Sequence, residues 1–314
     1  MLKEYLNSGY SAIVILGPTA SGKTKAAVAL AHKIESLMGR KAEILSADSR
    51  QVYIGMDIGT GKDMEEYGDV PVHLVDIVPA GEKYNIFRYQ RDFSRAYREI
   101  TERGNFPIIC GGSGLYIEAA TCGYELKEVE PNLQLRAELE QKSMDELIVM
   151  LTNLKSRNGT QPHNNTDFDT KKRVIRAIEI ELEVSNNGVK CNNLLLPDKD
   201  SVLFLGVDVD RDTRNRRIDA RLESRLRDGM TEEVQRLLDG GIDAEDLIYY
   251  GLEYKFVTQY LIGELGYNEM KERLKIAIHQ FAKRQMTWFR GMERKGIVIK
   301  WLPLCEFVGV VGKR

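Results

Sequence analysis

The stretch ILGPTASGKTKAA, residues 15–27, decides how this chain is read. An apolar run enters it, glycines turn it, and alanines that favour helix leave it. Gly17 and Gly22-Lys23-Thr24 fit the pattern G-x-x-x-x-G-K-[ST], so Gly17, Pro18, Thr19, Ala20, Ser21, Gly22, Lys23 and Thr24 form a candidate phosphate loop. Such a loop curls its backbone N–H groups inward, and the helix after it aims its positive end at the same point. Lys23 can reach the outer phosphates, and the Thr24 hydroxyl can ligate Mg²⁺. A glycine turn with an incidental lysine would need neither the strand before it nor the helix after it. The motif fixes the ligand class but leaves open whether phosphate is transferred, hydrolysed or discarded.

Outward from this loop, short apolar runs alternate with longer helical patterns. Residues 12–16, 43–47, 72–78, 106–110, 202–209 and 297–302 suit buried strands, and helices are expected near 23–38 and 87–103. This rhythm predicts an α/β fold, a mostly parallel sheet covered by helices, with ligands at the C-terminal ends of the strands. After Cys122 only helical patterns occur, from about 132 to 184, broken by a loop at 155–167. The β-rhythm returns at 202, and further helices follow at about 212–239 and 268–291. The simplest organisation is an α/β core from 1–122 and 200–314, with a helical insertion domain at 123–199.

Composition sets the limits. The 314 residues can bury a full core, and 43% hydrophobic with 29% charged residues is ordinary for a globular chain. A net charge of −2 confines any nucleic-acid site to a local basic surface. Cys110, Cys122, Cys191 and Cys305 make no C-x-x-C, which argues against a zinc site or redox dithiol and fits a reducing cytoplasm. No apolar run approaches a membrane span, and the N-terminus lacks the apolar core of a signal peptide.

Three further stretches carry candidate chemistry. SADSRQVYIGMDIGTGK (46–62) follows the second predicted strand, which puts Asp48 at a strand end facing the phosphate loop. A carboxylate there can ligate Mg²⁺ or act as a general base; it can equally cap a helix, alone or with Ser49. CGGSGLY (110–116) brings three glycines and the Ser113 hydroxyl to the same sheet edge. Asp76, in the third apolar run, is a weaker candidate for an acidic residue supporting Mg²⁺.

Basic residues cluster in three runs. Lys172, Arg173 and Arg176 lie near one helical face, and Arg214, Arg217, Arg221 and Arg225 recur every four residues. The run 279–296 holds Lys283, Arg284, Arg290, Arg294 and Lys295 with Phe281, Trp288 and Phe289 interleaved. Acidic partners within 211–229 suit a solvated face there. The last run has few acids, and basic residues mixed with aromatics are what an RNA surface needs.

Taken as a set, GPTASGKT, DSRQVYIGMDIGTGK, GGSGLY, RVIRAIEI and AKRQMTWFR have the order and spacing of bacterial tRNA dimethylallyltransferases, which the chain resembles from about residue 12 to 302. The resemblance implies a P-loop NTPase-like core. It implies transfer of a dimethylallyl group from dimethylallyl diphosphate to the N6 amine of adenosine 37, just 3′ of the anticodon, in tRNA. The phosphate loop would hold a diphosphate that leaves, with Mg²⁺ on Thr24. Asp48 matches the family's general base and Arg221 an arginine that stabilises the departing diphosphate. The family's tRNA contacts carry over to Asp48, Ser49, Arg50 and Gln51, to Ser113 and Arg136, and to Lys172, Arg173, Val174, Ile175 and Arg176; Lys283 and Arg284 join them. A cytoplasmic monomer acting on the anticodon stem-loop, with no membrane or protein partner, is the corresponding expectation. Ser113 stands where the family usually has Thr, GTGKD replaces G-T-A-K-P, and YYGLEYKF departs from G-Y-[RK]-[EQ]. Two other readings share the loop: a small-molecule or nucleotide kinase, and an RNA-binding regulator without catalysis.

Overall fold

A computed structural model describes residues 9–122, 129–159, 168–187 and 194–308. Cys191 and residues 160–167 of the expected Asn-rich loop lie outside them. The chain divides into two compact units, one from Met1–Tyr124 with Leu194–Arg314 and one from Glu125–Asn193.

The larger unit is built on a six-stranded sheet in the order β4-β2-β6-β1-β7-β8. Its strands are β1 (Ala12–Leu16), β2 (Ala42–Ser46), β4 (Val72–His73), β6 (Phe106–Gly111), β7 (Val202–Asp208) and β8 (Ile299–Pro303). All five pairings are parallel. A parallel sheet is covered on both faces, which explains why every residue of β1, β2 and β6 is buried. Alternate β1 residues feed separate cores. Ile13 and Ile15 join Ala26, Ala27, Leu30 and Ile34 of α1 (Lys23–Met38). Val14 and Leu16 join Tyr89, Phe93 and Ile100 of α2 (Ile86–Glu102). That second core also takes in the long helix α11 (Tyr267–Arg294), whose Met270, Leu274, Ile278 and Ala282 recur at four-residue steps on one face.

The run 72–78, expected as one strand, is two. Leu74 and Asp76 adopt left-handed backbone (φ 65° and 53°), which turns the chain out of the main sheet. Beyond the turn, β5 (Val78–Pro79) pairs with β3 (Tyr53–Ile54) in a separate two-stranded ribbon. The helical stretch 212–239 also divides, into α7 (Arg211–Arg227) and α8 (Met230–Asp239), because Gly229 at φ 103° ends the first helix. Helices α3 (Gly114–Thr121), α9 (Ala244–Tyr249) and α10 (Leu252–Leu261) are additions to the sequence reading.

The smaller unit holds α4 (Leu133–Glu140), α5 (Met144–Asn158) and α6 (Lys171–Asn187). Leu139, Leu147, Leu151, Val174, Ile175 and Ile178 form its core. Ser143 and Glu146 close a capping box on α5. That helix runs on to Asn158, through residues expected as loop, and Gly159 at φ 65° terminates it.

Candidate active site

The phosphate loop leaves β1 and enters α1 as the sequence requires. Gly22 is left-handed (φ 93°), and so is Ala20 (φ 61°), a conformation that costs a non-glycine residue about 1 kcal/mol or more. A side chain at Gly17 would stand 2.8 Å from the Ser21 hydroxyl. Lys23 folds back so that its Nζ donates to the Pro18 carbonyl at 3.0 Å. Burial pushes the Lys23 ammonium below the usual lysine value, Arg221 adds to that, and the Asp48 carboxylate opposes it.

Two cavities meet at this loop. One of about 810 Å³ is lined by Lys23, Thr24, Lys25, Arg217, Arg221 and Arg225, with Asp63, Glu65 and Glu66 among its walls. The other, about 590 Å³, is lined by Asp48, Ser49, Arg50, Ser113, Arg284 and a set of apolar and aromatic side chains that includes Tyr116, Leu252, Tyr254, Phe281 and Trp288. Arg221 and Arg225 border both. The α7 arginines therefore do not form the simple solvated face that their acidic neighbours suggested. Arg217, Arg221 and Arg225 turn onto the cavity, and Arg217 donates to the Ser21 carbonyl at 3.5 Å. Arg221 pairs with Asp63 and donates to the Gly61 carbonyl at 3.2 Å. Burial and the neighbouring Arg221 lower Arg225 to about 10, and Glu253 answers it at 3.8 Å. Burial raises the Glu253 carboxyl in turn, with Arg225 opposing.

Asp48 lies just beyond β2, at the edge of the second cavity. Its Oδ1 accepts the Arg50 backbone N–H at 2.9 Å, a local turn rather than a helix cap, since no helix begins there. The Ser113 hydroxyl accepts the Ser49 N–H at 3.3 Å, which joins the β2 and β6 ends. Arg50 lies over the Tyr249 ring, 5.8 Å from its centroid. Gln51 is used internally: its Oε1 accepts from Ser46 Oγ at 3.2 Å and its Nε2 donates to Gly61 O at 3.1 Å.

Sequence reasoning missed three side chains that shape this region. Gln285 on α11 accepts the Thr19 N–H at 2.8 Å and donates to the Gly112 carbonyl at 2.9 Å. Glu233 on α8 collects the amides of Asp57, Ile58 and Gly59. Lys62, 2% exposed, bonds the Tyr53 carbonyl at 2.6 Å, Asp57 at 2.6 Å, and Asp76. Asp76 is thereby committed to Lys62, which corrects its reading as metal support. Gln285 lay inside a quoted motif and could have been singled out there; nothing local in the sequence marks Glu233.

In the smaller unit, Val174 and Ile175 are core residues, so their side chains are not RNA contacts. Arg136 grips the buried Glu179 through Nε at 2.8 Å and Nη2 at 2.7 Å, and Arg176 adds a third bond at 3.0 Å. Burial works against the Glu179 carboxylate, yet these bonds hold it below the usual range. Lys172 and Arg173 are exposed, with Arg173 paired to Asp169 at 3.0 Å. Lys283 and Arg284 are exposed on α11, Arg284 beside the Phe281 ring.

Among the described residues, no group of three or more His, Cys, Asp or Glu side chains could cage a metal. The donors at the first cavity are the Thr24 hydroxyl and scattered carboxylates. That set fits Mg²⁺ only as an ion drawing most of its ligands from water and phosphate, which is its usual habit. No helix among the described residues is long and apolar enough to cross a membrane.

A family model described as IPP transferase matches residues 51–292. The chain is 55% identical over 295 residues to tRNA dimethylallyltransferase 2 of Porphyromonas gingivalis, covering 92% of this chain and 93% of that protein. It is 51% identical over 313 residues to tRNA dimethylallyltransferase 2 of Bacteroides fragilis, covering 97% and 98%. The crystal structure of the full-length tRNA isopentenylpyrophosphate transferase from Bacillus halodurans superposes with a TM-score of 0.65 at 32% identity, over 94% of this chain and 90% of that one. A eukaryotic dimethylallyltransferase acting on tRNA, at 24% identity and TM-score 0.70 over 93% of this chain and 73% of that one, shares the fold. With an α/β core, a phosphate loop opposed by arginines and relatives of this closeness, the chain belongs to the IPP transferase family, the tRNA dimethylallyltransferases, and is a prenyltransferase.

Proposed function

We propose that the protein transfers the dimethylallyl group of dimethylallyl diphosphate to the N6 amine of adenosine 37 in tRNA and releases diphosphate. The observation that carries this reading is the junction of two unlike cavities at Arg221. The first, lined by Lys23, Thr24 and the arginines, suits a diphosphate. The second, aromatic and bordered by Asp48, suits an adenine and an isoprenoid tail.

The chemistry follows from those groups. The N6 lone pair, delocalised into the ring, is a weak nucleophile and needs help at both ends. It attacks the allylic carbon, a new C–N bond forms, and the C–O bond breaks with its electron pair going to diphosphate. Loop N–H groups, Lys23 and Arg221 take up the charge that grows on the leaving group. Asp48 accepts the N6 proton. The Thr24 hydroxyl would hold Mg²⁺ brought with the diphosphate, and the ion would supply further positive charge to its oxygens. Arg50, Ser113, Lys172, Arg173, Lys283 and Arg284 offer cations and hydrogen bonds to the anticodon stem-loop. A tRNA substrate suits an enzyme of the cytoplasm.

The test is incubation with labelled dimethylallyl diphosphate and unmodified tRNA. Label entering tRNA, matched by released diphosphate, is the expected result. ATP consumption without prenyl transfer would instead indicate a kinase, and RNA retention with neither reaction a binding protein.

A further inference from the structure

Glu233 is 2% exposed, and the hydrogen bonds seen on its carboxylate among the described residues come from uncharged groups. Four neutral donors converge on it. Oε2 accepts the backbone N–H groups of Asp57 and Ile58, each at 2.8 Å. Oε1 accepts the Gly59 N–H at 2.9 Å and the Tyr254 hydroxyl at 2.7 Å. Three consecutive amides aimed at one carboxylate fix the backbone of that loop.

The same loop holds the arginines. The Gly59 carbonyl accepts from Arg225 at 3.4 Å, and the Gly61 carbonyl accepts from Arg221 at 3.2 Å. Gly61 is left-handed (φ 62°), and a Cβ there would meet Arg225 Nη2 at 1.4 Å and Arg221 Nη2 at 2.5 Å. A Cβ on Gly59 would meet the Tyr254 ring at 2.7 Å. The loop is thus pressed between Glu233 with Tyr254 on one side and the two guanidinium groups on the other.

We propose that Glu233 is a positioning residue for prenyl transfer: it anchors residues 57–59 so that the carbonyls of Gly59 and Gly61 set Arg225 and Arg221 at the diphosphate cavity. It touches no substrate and acts only through the loop. A carboxylate is required because all four partners donate; an amide would turn an NH₂ group against an N–H. The inference rests on the reading above, in which Arg221 receives the departing diphosphate.

A mutant cycle tests it, read by inorganic diphosphate affinity and by kcat/KM for dimethylallyl diphosphate. Glu233→Gln should weaken both by about ten- to a hundredfold, the scale expected when a catalytic group is misplaced by an ångström or less. Affinity for unmodified tRNA should hold. In an Arg221→Ala/Arg225→Ala background the same change should have little further effect, because both groups it positions are gone. A merely structural role would give full, additive losses in both backgrounds, and that result overturns the inference while leaving the reading intact. If Arg221→Ala alone leaves diphosphate affinity and rate unchanged, the assignment of Arg221 fails and the inference falls with it. Should Glu233→Gln fail to fold, Glu233→Asp is used in the same cycle; it keeps an all-acceptor group but withdraws it by one methylene.

Discussion

Gln285 Oε1 accepts the backbone N–H of Thr19 at 2.8 Å, so a side chain from α11 is built into the phosphate loop. Its Nε2 reaches the Gly112 carbonyl at 2.9 Å, which ties the loops after β1 and β6 to each other. Gln285→Leu would leave both backbone groups short of a partner, at about 1–3 kcal/mol for each buried group left unsatisfied. The urea midpoint should fall, and KM for dimethylallyl diphosphate should rise as the loop loosens. A midpoint equal to wild type would show that water or a neighbour replaces the amide.

Asp48→Asn separates chemistry from architecture. Asparagine keeps an acceptor for the Arg50 N–H, now bonded at 2.9 Å, so the turn should survive. It cannot take a proton, and general-base catalysis worth about a hundredfold to ten-thousandfold should disappear. Single-turnover transfer with both substrates saturating reads that step directly. A near-normal rate would make Asp48 a turn residue and nothing more.

Arginines and lysines that looked alike in the sequence should behave differently. Arg136 is engaged with buried Glu179, so Arg136→Ala should destabilise the helical unit by about 2 kcal/mol, the scale of lost hydrogen bonds to a charged group. Lys283 is exposed, and Lys283→Ala should leave stability alone. It should instead reduce the slope of log tRNA affinity against log salt by about one for a lost phosphate contact. Thermal unfolding and filter binding across a salt series distinguish the two. A loss of tRNA affinity in Arg136→Ala with unchanged stability would return that arginine to the RNA surface.

Much of this was legible because it is local. The strand, glycine turn and helix at 12–38 announce themselves within one stretch, and β2 and β6 deliver Asp48 and Ser113 to the edge that their positions after apolar runs implied. The division of 72–78 was not legible. Leu74 and Asp76 carry the left-handed turn, and neither is the glycine that ordinarily signals one. Glu233 and Lys62 were hidden for another reason. On a helix or in a loop, a single charged residue reads as solvated surface. Only the folded chain shows Glu233 facing three amides and Lys62 facing two carboxylates and a carbonyl. The α7 arginines show the same limit: their spacing gave one stripe, but not whether that stripe met water or a cavity.

Far from the cavities, Glu43 supplies a prediction about pH. It is buried on β2, where burial alone would raise its pKa. Arg103 reaches it through three contacts of 2.9–3.2 Å, Asn105 donates at 2.6 Å, and His73 Nε2 lies 2.6 Å away. These partners outweigh burial and hold the carboxyl at about 2, below the ordinary value of 4.5. A depressed folded-state pKa means that the unfolded chain binds the proton more readily between those values. Stability from this group is therefore complete above about pH 4.5 and is lost as pH falls towards 2. The gap corresponds to roughly 3 kcal/mol. Glu43→Gln removes the titration and leaves Arg103 facing a neutral group, so the variant should be less stable than wild type at pH 6. Its melting temperature should also fall less steeply between pH 5 and 2, and the two curves should converge at the acid end. Parallel curves across that range would mean that Glu43 does not titrate differently in the folded and unfolded chains.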